Sequence, residues 1–102
     1  MIIYNVTCSM EKGLAEEWLK WMKETHLPEV METGCFIEYK MLRLLTNDSD
    51  DTGVNYAIQY TCQNHETLER YRSQYGPELQ AKTLEKFGNS VLAYRSVLEH
   101  VE

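Results

Sequence analysis

A chain of 102 residues is long enough for one hydrophobic core and leaves no room for a second domain, so residues 1–102 are read as a single unit. Its 43% hydrophobic and 25% charged residues fit a globular protein in water, and no apolar run approaches a membrane span. The formal net charge of −6, with basic residues scattered, argues against nucleic acid or an anionic membrane as partner.

Ile2 to Cys8 is rich in strand formers, and the N-terminus lacks the basic and apolar regions of a signal peptide. Ile2, Tyr4, Val6 and Cys8 are expected on one face, with Ile3, Asn5 and Thr7 on the other. Ser9 offers a cap for a helix over Lys12 to Thr25. There Leu14, Trp18, Trp21, Met22 and Thr25 recur at helical spacing, opposite Glu16, Glu17, Lys20, Lys23 and Glu24. Pro28 cannot donate a backbone hydrogen bond and biases Leu27 away from helical dihedrals, so an elbow and a restarted helix are expected at Leu27-Pro28. Leu27, Val30 and Met31 face inward, and Gly34 closes the segment.

Cys35 to Thr46 reads as a second strand, with Ile37, Tyr39, Met41 and Arg43 on one face and Phe36, Glu38, Lys40, Leu42 and Leu44 on the other. Neither face is cleanly polar, which implies partial cover on both or a bulge. Residues 47–53 form a polar loop, and Val54 to Cys62 returns as an antiparallel third strand. Asn64 caps the next helix, which carries Leu68, Tyr71 and Tyr75. Gly76-Pro77 interrupts it, Leu79, Thr83, Leu84 and Phe87 continue it, and Gly88 ends it. Ser90 to Val101 supplies a fourth strand.

The order βαββαβ predicts an α+β, ferredoxin-like fold: a four-stranded antiparallel sheet with both helices on one face. The bare face then carries apolar residues from several strands, so a homodimer through the sheet is expected. Cys8, Cys35 and Cys62 are three, far apart and without a CxxC pair. That argues against a disulfide framework and against a structural zinc site, and favours small core residues on strands in a reducing cytoplasm.

His26-Leu27-Pro28-Glu29, then Gly34-Cys35-Phe36 and Tyr39, after a helix bearing tryptophans, resembles the dimeric α/β-barrel superfamily. The Met-Ile-Ile-Tyr-Asn-Val start, the His-Pro-Glu elbow and the closing Tyr94-Arg95-Ser96 resemble, more closely, a small bacterial family of unknown function. The resemblance implies the fold and the dimer, and brings no established activity. The haem-degrading branch of the superfamily uses an Asn on the first strand, a Trp on a later strand and a His within the second helix. Asn5 matches the first; Trp18 and Trp21 both lie on the first helix and His65 only begins the second, so haem chemistry is not expected.

Five residues are candidates for a pocket. His26 at the elbow is the natural proton carrier near neutral pH, or else it satisfies backbone groups at a helix break. Asn5 and Gln59, with Arg43 and Arg95 (or Tyr94 if the register differs), either line a cavity in which an arginine holds an anion or form a network that fixes the dimer. An EF-hand reading from Asp48 fails, because Thr52 and Gln59 fall where ligands belong, and no metal or cofactor is expected. Two classes of function stay open: a non-catalytic small-molecule-binding or regulatory module, and a cofactor-independent monooxygenase or isomerase acting on a small aromatic or keto compound. The size of the cavity separates them, since an enzyme needs a pocket of about 300 Å³ or more.

Overall fold

Strand β1, Ile2–Glu11, is the axis of the structure, a computed structural model that describes residues 1–45 and 53–102. After β1 come α1 (Lys12–Trp21), a π-helical turn (Met22–His26), α2 (Leu27–Glu32), β2 (Glu38–Arg43) and β3 (Gly53–Cys62). The chain ends with α3 (His65–Gln74), α4 (Gly76–Phe87), a 3₁₀ turn (Gly88–Ser90) and β4 (Leu92–Glu99). The sheet order is β2-β3-β1-β4 and every pairing is antiparallel. This is the ferredoxin-like α+β arrangement expected from the element order.

Register decides which residues share a face, because cross-strand partners point the same way. Tyr4 pairs with Tyr60 and Val97, Val6 with Ile58 and Arg95, and Cys8 with Tyr56 and Ala93. These make the inner face, against which the helices bury Trp18, Met22, Leu27, Val30, Leu68, Tyr71, Leu79 and Phe87. Trp18 has no exposed surface and lies on Tyr56 with ring centroids 5.3 Å apart. The outer face carries Ile3, Asn5, Thr7 and Ser9 of β1 beside Asn55, Ala57, Gln59 and Thr61 of β3, none of them fully buried. Leu42, Leu92, Tyr94 and Leu98 are exposed there, around a polar centre of Asn5, Thr7, Gln59 and Ser96.

Local signals behave as read in several places. Asn64 Oδ1 accepts from the Thr67 amide at 2.8 Å, and Gly34 and Gly88 adopt φ of 75° and 56° where their helices end. Gly76-Pro77 opens α4 one residue after α3 gives way.

Elsewhere the structure corrects the sequence reading. No elbow breaks the chain at Leu27-Pro28: Leu27 is helical (φ −61°, ψ −43°), and its amide donates to the Met22 carbonyl five residues back. Pro28 has no amide for the Glu24 carbonyl and its ring crowds that carbonyl, and a widened π turn relieves both problems without ending the helix. The extra residue shifts the helical phase, so Thr25 is exposed rather than inward. Leu84, on α4, is exposed as well.

Ser9 caps nothing, because β1 runs on to Glu11, which takes the N-cap position without a side-chain bond. Strand β2 starts at Glu38, so Cys35 and Phe36 precede it, buried in the turn after α2; Cys35 is a core thiol off a strand. Both edge strands, β2 and β4, are exposed along nearly their whole length, since the helix layer covers β1 and β3. The expected loop, the far end of the expected second strand and the Asp48 position lie within residues 46–52, outside the described residues.

Candidate functional site

A cavity of about 70 Å³ lies between the inner face of the sheet and the helices. Its apolar walls include Val6, Trp18, Met22, Ile58 and Leu79, and Tyr4, Tyr60 and Tyr71 add phenol rings. The polar groups at its edge are His26, Gln80, Thr83 and Arg95. Gln80, Ala93 and Arg95 are exposed lining residues on α4 and β4, so the cavity opens between those two elements.

The π turn brings His26 to this site. In an α-helix residues five apart are rotated by about 140° from one another, whereas a π turn brings them to the same side. Trp21 and His26 stand five apart and their rings stack, with centroids at 5.1 Å and planes 24° apart. The indole fixes one face of the imidazole, and the other neighbourhood is the cavity. Burial is the main cause that lowers the His26 pKa to about 4; Glu29 opposes it, and Arg95 and Lys82 add to it. Glu29 is itself engaged by Lys82 Nζ at 2.6 Å, which blunts its pull on the ring. The imidazole is therefore neutral at pH 7.

Arg95 faces inward because β4 pairs it with Val6. Its positive charge acts on three groups around the cavity. It pushes His26 down and holds back, in part, the rise that burial gives Cys8, to about 11, and Tyr71, to about 12. Among the described residues no carboxylate forms an ion pair with Arg95. Also among the described residues, no group of three or more His, Cys, Asp or Glu is arranged to hold a metal ion.

The sheet divides the five residues selected from the sequence. His26 and Arg95 meet at the cavity. Asn5 and Gln59 pair with each other on the opposite side, where Asn5 Nδ2 donates to Thr7 Oγ1 at 3.0 Å and to Ser96 Oγ at 3.4 Å. Tyr94, the alternative to Arg95, shares that outer face and is exposed. Arg43 pairs with Tyr56 at the exposed end of β2, away from the cavity lining. One polar wall combining all of them does not form, because Asn5 and Gln59 have the wrong parity. Trp18, Tyr71 and Met22 read as core in the sequence, and their role as cavity wall had no separate signal. Gln80 carried none, and Thr83 only its helical spacing with Leu79 and Phe87.

The family model described as "Domain of unknown function (DUF4286)" matches residues 1–101. The chain belongs to that family. It is also 30% identical over 56 residues to human Regulator of G-protein signaling 22, a match that takes in 54% of this chain and only 4% of that protein. Among solved structures, an ethyl tert-butyl ether D (EthD) family protein of Bacillus halodurans superposes with a TM-score of 0.74 at 14% identity, covering 99% of this chain and 100% of that one. A cofactor-independent oxygenase of Streptomyces nogalater gives 0.62 at 14% identity, with 99% and 94% covered. A dimeric ferredoxin-like protein from an uncultured marine organism gives 0.61 at 9%, with 99% and 96% covered. At these identities the likeness establishes the fold. No helix of the described residues is long and apolar enough to cross a membrane.

Proposed function

We propose that this protein is a non-catalytic binding or regulatory module that pairs with a second copy through the outer sheet face and holds a small organic ligand in the cavity of each protomer. The observation that carries the reading is the Arg95 guanidinium, without a carboxylate partner among the described residues, at the edge of an apolar cavity that also presents a neutral imidazole. At the mouth of an apolar cavity, a guanidinium that no carboxylate engages is free to pair with an anionic group on a bound molecule.

The dimer is supported by the exposed Leu42, Leu92, Tyr94 and Leu98 on one side of the sheet. In that arrangement Asn5, Thr7, Gln59 and Ser96 serve as the hydrogen-bonding centre of the interface. Arg43, at the open edge of β2, belongs to the protein surface in this reading. Three free, buried thiols support residence in a reducing compartment such as the cytoplasm.

A cofactor-independent enzyme is the second reading, favoured by a neutral imidazole inside a cavity and by the oxygenase among the structural neighbours. Two magnitudes weigh against it. A cavity of about 70 Å³ is well below the roughly 300 Å³ at which substrate pockets begin. A base with a pKa of about 4 also lies far from the value near neutrality that makes general-base catalysis efficient.

Native mass spectrometry of protein taken directly from cells tests the proposal. A dimer mass carrying a retained small molecule is expected. A stable monomer at micromolar concentration would remove the interface, and oxygen consumption with an aromatic or keto compound would transfer the case to the enzyme.

A further inference from the structure

We infer that the ligand of this cavity is a short aliphatic monocarboxylate of about two to four carbons, its carboxylate on Arg95 and its hydrocarbon end against the accessible apolar wall of Val6, Leu79 and Val91. The inference rests on the cavity being a binding site and adds what that site selects.

Size comes first. A water molecule takes about 30 Å³ in the liquid, and an apolar cavity of about 150 Å³ holds one benzene. At about 70 Å³ the cavity takes two or three heavy atoms and no aromatic ring. The rest of the ligand must lie at the mouth, between α4 and β4.

Charge gives the head group. Arg95 is the cation of the lining, and among the described residues no Asp or Glu lines the cavity with it. The planar guanidinium fork matches a carboxylate in two parallel hydrogen bonds. Because Arg95 is exposed at the mouth, the head group keeps water on one side and is not stripped of all its solvent. The neutral ring of His26 still carries one N–H, a donor suited to a carboxylate oxygen.

The deep end decides against the remaining anions. The apolar wall at Val6, Leu79 and Val91 gains nothing from the oxygens of phosphate or sulfate. A hydrocarbon tail meets the same surface at a gain. An amine is excluded by the sign of Arg95. Pairing of two copies through the outer face leaves the mouth open, because Arg95 points to the other side of the sheet.

The indole signals of Trp18 and Trp21, recorded by NMR in a carboxylate-free buffer, read the test directly. Butanoate is titrated against its neutral isostere butanamide and against benzoate, on the natural protein and on Arg95→Gln. Butanoate should shift the Trp18 indole saturably, butanamide should bind more weakly by about tenfold or more, and benzoate should leave the Trp18 signal unmoved. Arg95→Gln should weaken butanoate by a similar factor while keeping the melting temperature. Equal binding of butanamide, or an unaffected Arg95→Gln, overturns the carboxylate and leaves the binding-site reading standing. Benzoate reaching Trp18 as well as butanoate overturns the size limit alone. If none of the three moves the indole in the tens of millimolar and the protein from cells carries no ligand, the binding-site reading itself falls.

Discussion

His26 should make this protein acid-sensitive in a defined window. The unfolded imidazole takes up its proton near pH 6.5, whereas the folded one, desolvated beside Trp21, resists until about pH 4. Between those values the unfolded state binds more protons, so stability falls as pH falls from about 6.5, and the contribution is exhausted below about 4. The loss relative to pH 7 is on the order of 2 kcal/mol at pH 5 and about 3 kcal/mol at pH 4. For a domain whose net stability is about 5–15 kcal/mol, that is a large share. Urea unfolding of the natural protein and of His26→Gln, at pH 7, 6, 5 and 4.5, isolates the effect. The 16 Asp and Glu residues are common to both proteins, so their acid response largely cancels in the difference. The natural protein should lose stability faster, and its His26 resonance should stay that of a neutral ring at pH 5. Parallel pH curves, or an imidazole that titrates near 6.5, would refute the burial that the π turn imposes.

Three further outcomes follow from the packing. Trp18→Ala removes a side chain with no exposed surface and should cost about 3–5 kcal/mol, seen as a reduced urea midpoint; an unchanged midpoint contradicts its place in the core. Asn64→Ala removes the acceptor for the Thr67 amide and should cost about 1 kcal/mol, with Asn64→Asp largely restoring it. Leu92→Glu combined with Tyr94→Glu places charge on the outer face, where Tyr94 is 66% exposed in the protomer. Light scattering should then report a monomer with an intact far-UV spectrum, and a surviving dimer would move the interface elsewhere.

The cavity and the outer face make separate demands on the sheet. Alternation along β1 sends Tyr4, Val6 and Cys8 to one and Ile3, Asn5 and Thr7 to the other, so a single strand serves both. Edge strand β4 does the same, with Arg95 inward and Tyr94 and Ser96 outward. A substitution on one face therefore tests one site with little effect on the other.

What the sequence determined by itself was carried by short-range physics. Strand formers in β1 and β3, the Asn64 cap, the helix-ending Gly34 and Gly88 and the helical spacing of Trp18 and Met22 act within a few residues. They were legible for that reason, and the element order they produced was enough for the ferredoxin-like fold. Pro28 was legible only in part: it signals strain at the Glu24 carbonyl, but a break and a π turn both relieve it. Packing of Trp21 on His26 and of Leu27 and Val30 into the core accompanies the second solution. The grouping of His26 with Arg95, and the separation of both from Asn5 and Gln59, belonged to the tertiary structure. A strand turns over completely when its register slips by one residue, and pairing across nearly ninety positions of sequence fixes which side Arg95 takes.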